Sequence, residues 1–136
     1  MRRCLLKLLA VPTLAAGLAA CSPAKQEVDA CTQGSVSRMY LGQDTPSGAV
    51  TTAQWQRFVI EAVTPRFPDG FTVLAAHGQW RAADGAVRRE DTLVLEIVHD
   101  DGPLLRSRVR AIADEYKRRF AQEGVLVTQS PLMRCS

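Results

Sequence analysis

The chain has 136 residues, 46% of them hydrophobic, with 17 Lys and Arg against 14 Asp and Glu. That length fits one domain, and the ordinary composition excludes a collagen, a disordered chain and a disulfide-dense miniprotein. Arg2, Arg3 and Lys7 account for the whole net charge of +3, so the remainder is neutral and carries no basic footprint for nucleic acid.

Met1 to Lys7 form a positively charged start, followed by an apolar run from Leu8 to Ala20. A spanning helix needs about twenty apolar residues, so this shorter run reads as a secretory h-region, with Pro12 and Gly17 poorly suited to a helix core. The run ends in Leu18-Ala19-Ala20-Cys21. That ending resembles the bacterial lipoprotein signal, which implies removal of residues 1–20 and a diacylglycerol thioether on Cys21. Two or more acyl chains then anchor a protein stably where one does not. Ser22, standing where Asp would imply retention at the inner membrane, favours the outer membrane, facing the periplasm. Residues 21–34 read as a lipidated tether, polar and without periodicity.

Cys4 leaves with the signal and Cys21 carries lipid. Cys31 and Cys135 remain, and export into an oxidising compartment makes a disulfide their expected state. No metal is expected, because the only histidines are His77 and His99.

The domain, residues 35–136, reads strand, helix, strand, strand, helix, strand. Val36 to Gly42 alternates, with Met39 and Leu41 on one side and Arg38 and Tyr40 on the other. Thr51 and Gln54 have capping-box spacing, and Val50 and Trp55 that of a hydrophobic staple. Trp55, Phe58, Val59, Ala62 and Val63 form one helical stripe, which Pro65 ends at Thr64. Phe71 to Arg81 and Arg88 to His99 flank Asp84-Gly85, a two-residue hairpin signal. That loop would set Leu74 opposite Leu95, Ala76 opposite Leu93 and Thr72 opposite Ile97. Pro103 opens the second helix, Leu105, Val109, Ile112, Tyr116 and Phe120 form its stripe, and Gly124 suits its C-terminal cap. Its many arginines are interspersed with acids, and Glu115 and Arg119 make a supporting pair, so it reads as a solvated face. Val125 to Gln129 is the last strand.

This order is the split βαβ duplication of a ferredoxin-like α+β sandwich, βαββαβ. Right-handed crossovers give a four-stranded antiparallel sheet of order 4-1-3-2 with two helices on one face. The last strand then lies beside the first, bringing Cys31 and Cys135 to the same end, where a disulfide is worth roughly 4 to 5 kcal/mol.

Tyr40-Leu41-Gly42, the helix residues Trp55 and Phe58, Thr64-Pro65-Arg66-Phe67-Pro68-Asp69-Gly70 and Gly78-Gln79-Trp80-Arg81 resemble a family of small exported bacterial proteins, domain-of-unknown-function family 3574. Phe71 departs from the Leu expected there. The resemblance implies a bacterial envelope location and no particular reaction or cofactor. The Pro65–Gly70 segment reads as a rigid connector, with Arg66 and Asp69 at a binding edge as the alternative. Gln79, Trp80 and Arg81 read as a packing cluster, Trp80 covering the core and Gln79 bonding to Glu90, with ligand recognition as the alternative.

Motifs for phosphate, dinucleotide or nucleophile-elbow chemistry are missing, and Asn is absent altogether. His99-Asp100-Asp101 reads as a strand end rather than a metal site. Two helices cover one side of the sheet, leaving Arg38, Tyr40, Val73, Ala75, His77, Val94, Glu96 and Val98 on the other. That face is too apolar to be only solvated. It is expected to pair with a second copy, or to hold a ligand against Arg38, Tyr40, His77, Val94 and Glu96, with His77 able to exchange a proton. A non-catalytic binding or oligomerising module of the envelope is the leading expectation; a small enzyme or ligand-binding protein using the open face is the alternative.

Overall fold

The computed structural model describes residues 30–135; the segment read as a signal and Cys21, the expected lipidation position, lie outside them. Strand β1 (Thr32–Gly42) begins the domain, so the first part of the ordered sheet lies within the segment read as tether. A short ribbon, β2 (Asp44–Thr45) with β3 (Gly48–Ala49), follows. Helix α1 (Thr52–Phe58) continues into a π-helical turn, Val59–Val63. Then come β4 (Thr72–Arg81), β5 (Val87–His99), α2 (Pro103–Phe120) and β6 (Leu126–Arg134).

The four long strands form one antiparallel sheet in the order β4-β5-β1-β6. The sequence carries no clear signal for the ribbon β2–β3, which shifts the strand numbering, but the long strands have the expected neighbours. The last lies beside the first, the third on its other side and the second at the far edge. Thr32 pairs with Arg134, which brings the adjoining Cys31 and Cys135 together as a disulfide with Cα atoms 4.2 Å apart. β6 runs on past its expected end through Pro131, which an edge strand tolerates because its outward N–H needs no partner.

Both helices pack on one face. Thr51 caps α1 through the reciprocal bonds of a capping box with Gln54, and Phe58, Ala62 and Val63 turn into the core. From α2, Val109, Ile112, Tyr116 and Phe120 meet Met39, Leu41, Leu95 and Ile97 of the sheet. Phe58 stands edge-on to Tyr116, with ring centroids 5.1 Å apart. The outer face of α2 is laced with ion pairs, Arg119 reaching Glu115 at 2.9 Å and Glu61 at 2.7 Å, as a solvated face requires. The helix ends at Ala121 in the left-handed conformation (φ 51°) and not at Gly124.

The β4–β5 hairpin corrects the expected register. Its last pair is Arg81 with Val87. Beyond it, Gly85 N–H donates to Ala82 O (2.9 Å), Ala82 N–H donates to Ala86 O (2.9 Å), and Gly85 has φ 84°. This is the three-residue loop in which a type I turn is followed by a left-handed glycine, one residue longer than the loop inferred from Asp84-Gly85. Val73 therefore faces Leu95, and Leu74 faces Val94. The alternation on β5 is as expected, but every side chain of β4 changes face: Val73, Ala75 and His77 join the helix side, and Leu74 the open side. β4 is an edge strand whose Val73 and Leu74 are both exposed, so burial did not mark its inner face.

Candidate functional site

The open face is built in rows across the strands. Arg38 pairs with Glu96, and Tyr40 with Val94, which in turn faces Leu74; Leu126 of β6 completes that row. Four of the five predicted site residues thus share the face. Arg38 Nε donates to Glu96 Oε2 at 2.5 Å. Val94 lies on the open side yet is only 7% exposed, because it sits in a central strand between larger neighbours. The fifth residue, His77, is elsewhere. It stands on the helix side of the sheet, beyond the helices, with a 91% exposed side chain and Nδ1 2.8 Å from Asp91 Oδ1.

Beyond Tyr40 the open face sinks into a cavity of about 410 Å³. Its floor is Gly42, Gly78 and Thr92. Tyr40 and Trp80 stand at its sides, and the connection from α2, Gln122 to Val125, closes it with Leu126. Gln122 holds that connection in place by donating to Asp44 O at 2.6 Å.

The two floor glycines matter through what they omit. A Cβ on Gly42 would lie 2.4 Å from Glu90 Oε2, and one on Gly78 would lie 2.8 Å from Thr92 Oγ1. Glu90, which pairs with Gly78 across the hairpin, lays its carboxylate in the space left by Gly42. Burial pushes the Glu90 carboxyl above the usual carboxylate range, and the nearby negative Asp44 adds to the rise; hydrogen bonding from the Asp44 backbone and the Trp80 side chain opposes it. Behind the floor, Tyr116 donates to Gly42 O at 2.7 Å and accepts from Gln43 Nε2 at 2.9 Å. Burial raises the Tyr116 phenol above the ordinary tyrosine range, with the Gln43 hydrogen bond opposing. Tyr116 stays a neutral donor that fixes the Gly42 peptide from the core side.

Glu90 is a site residue that sequence reasoning missed. That reasoning gave it a bond from Gln79, but the corrected register pairs Gln79 with Arg89, whose Nε donates to Gln79 Oε1 at 2.9 Å. Trp80 does not cover the core; it stands half-exposed on the open side. The signal that could have found the cavity was a glycine inside β4, Gly78, and another ending β1, Gly42, since a strand glycine marks a close approach.

The remaining candidates are structural. Arg66 Nη1 donates to Ala62 O (2.7 Å), Arg108 Nη1 donates to Arg66 O (3.3 Å), and Phe67 is buried, so Pro65–Gly70 is a fastened connector. His99 is buried with Nδ1 2.6 Å from Asp100 O and Nε2 2.8 Å from Ser37 Oγ. A carbonyl accepts only, so Nδ1 carries a proton that it donates to Asp100 O. Ser37 in turn accepts from Gln129 Nε2 at 2.8 Å. Both ring nitrogens are committed to the protein.

The family described as "Protein of unknown function (DUF3574)" matches residues 36–135. The chain belongs to that family. Tyr40 and Gly42 of β1 and Gly78, Gln79 and Trp80 of β4, all within the matched residues, line the cavity together. Among solved structures, the chain is similar to a phage SAM lyase in complex with S-methyl-5'-thioadenosine, with a TM-score of 0.60 and 16% identity over 76% of this chain and 90% of that one. The same lyase in its apo state matches with a TM-score of 0.57 at 16% identity, with the same coverage. A PII-like signalling protein from Thermus thermophilus matches at 0.49, with 14% identity over 77% of this chain and 92% of that one. At these identities the likeness is one of fold. A search of curated proteins gives no match. Among the described residues, no helix is long and apolar enough to cross a membrane.

Proposed function

We propose that this DUF3574 domain is a ligand-binding module of the bacterial cell envelope, tethered through lipid on Cys21 to the outer membrane with its cavity open to the periplasm. The tether rests on the signal Leu18-Ala19-Ala20-Cys21. The ligand-binding part is carried by one observation: Glu90 lies half-buried on a cavity floor of two glycines, between Tyr40 and Trp80. Burying a carboxylate opposes its ionisation, and groups so perturbed concentrate at functional sites. The cavity size falls in the range of small-molecule sites. As an enzyme, the domain would use the same cavity, with Glu90 rather than His77 as the proton-exchanging group.

The ligand of the phage lyase supplies the first probe. Calorimetric titration of the chain from Ser22 onward with S-methyl-5'-thioadenosine should show saturable binding that Glu90→Gln and Tyr40→Ala weaken. No binding, or equal binding in both variants, would contradict the reading. Self-association through the same face is the second reading, favoured by Leu74 and Leu126, which are 50% and 62% exposed. Sedimentation should then find a dimer that Leu126→Asp dissociates. Val94→Lys would be a poorer test, because Val94 is buried.

A further inference from the structure

The cavity has a marked charge asymmetry. Among the described residues lining it, the ones charged at neutral pH are Glu90 and Glu123; no Lys, Arg or His joins them. Neither carboxylate has a cation within ion-pair distance among the described residues. Arg88 and Arg89 line an adjoining groove of about 460 Å³ that shares Trp80, Gln122, Glu90 and Glu123 with the cavity, and both are engaged. Arg88 binds Asp84 at 2.8 Å, and Arg89 Nε donates to Gln79. That groove adds a third carboxylate, Asp44.

Two aromatic side chains line the cavity together with these acids. Tyr40 and Trp80 project from strands on either side of β5, with Glu90 on β5 between them. The rest of the lining joins apolar Val125 and Leu126 to three glycines, Gly42, Gly78 and Gly124, and to three uncharged polar residues, Gln79, Thr92 and Gln122. An anion or a phosphate finds no cationic partner in this cavity. A neutral apolar molecule would fill the walls but leave two carboxylates to be desolvated without compensation. A small inorganic cation would leave most of the carbon surface uncovered. A cation with apolar substituents meets both the acids and the carbon surface, since ring faces attract positive charge and carboxylates neutralise it.

We propose, resting on the reading that this cavity is a ligand site, that it selects an organic cation: an ammonium or sulfonium centre carrying apolar or aromatic groups. The charged centre sits beside Glu90 and Glu123, and the substituents lie against Tyr40, Trp80 and Leu126. Gly42 is part of the selectivity, because any side chain there would push the Glu90 carboxylate out of the floor.

The test separates charge from shape. Choline and its neutral isostere, in which a tert-butyl group replaces the trimethylammonium, are titrated into the isotope-labelled chain from Ser22 onward while the amide signals of Gly42, Gly78 and Gly124 are followed. Choline should bind about tenfold tighter than the isostere. Glu90→Gln should bring the two affinities together while leaving the isostere's unchanged, its dispersed amide spectrum showing that the variant is folded. Equal affinities in the wild type, or a preference that survives Glu90→Gln combined with Glu123→Gln, would overturn the cation selectivity while the cavity remained a ligand site. If neither compound moved those signals, the selectivity and the ligand reading would fall together.

Discussion

Glu90 occupies the place of a side chain that residue 42 does not have. Its Oε2 would lie 2.4 Å from a Cβ on Gly42, while Tyr116 holds the same residue's carbonyl from the core side at 2.7 Å. One peptide therefore carries a core anchor on one face and a cavity carboxylate on the other.

Gly42→Ala should expel that carboxylate without breaking the fold, because Glu90 has a flexible side chain and the Tyr116 bond uses only the backbone. The strain should cost roughly 1 to 3 kcal/mol in urea denaturation. Carboxyl titration by carbon-13 NMR should find Glu90 back in the ordinary carboxylate range. A Glu90 titration unchanged by the added methyl would mean that the close approach has no bearing on its ionisation.

The raised pKa of Glu90 also fixes a sign. A carboxyl that holds its proton more tightly folded than unfolded makes the folded state more stable at low pH. That stability is lost as pH climbs from the ordinary carboxylate value through the raised one. Glu90→Gln should therefore stabilise the protein at about pH 7 and have little effect at about pH 3. Equal effects at both pH values would remove burial of the charge as the cause.

Ala121 ends α2 in a conformation that L-residues adopt at a cost, with φ 51°. Ala121→Gly should stabilise the domain by about 0.5 to 1 kcal/mol in urea denaturation. A loss of stability would show that the Ala121 methyl makes contacts worth more than the backbone relief.

The disulfide closes a separation of 104 residues. Replacing Cys31 and Cys135 together by Ser should lower stability by about 4 to 5 kcal/mol in denaturation, before any strain in the native bond is subtracted. A change below about 1 kcal/mol would mean that the unfolded chain without the bond already keeps its ends close, or that the native bond is strained.

Much of this fold was legible because several signals agreed. The Thr51–Gln54 box, the Phe58 and Tyr116 stripes and the position of both cysteines beside β1 and β6 all pointed to one topology. The register of β4 was not legible. Asp84-Gly85 is a strong turn signal, but Gly85 also suits the longer loop, and β4 shows similar residues on both faces. Among the predicted site residues that step misplaced His77 alone: Arg38, Tyr40, Val94 and Glu96 were placed correctly from β1 and β5, whereas His77 was carried to the wrong side. Glu90 stayed hidden because its importance lies in what Gly42 lacks, a relation between two strands distant in sequence.

The central claim is that a ligand enters between Tyr40 and Trp80 onto Glu90. The sequence holds two tryptophans, Trp55 packed against the core on α1 and Trp80 at the cavity wall, so an amide spectrum offers one indole N–H signal at the site and an internal control away from it. On addition of S-methyl-5'-thioadenosine or choline, the account predicts a saturable shift of the Trp80 signal alone, weakened in Glu90→Gln. A Trp80 signal that stays fixed under both compounds, or moves no more than that of Trp55, would contradict it.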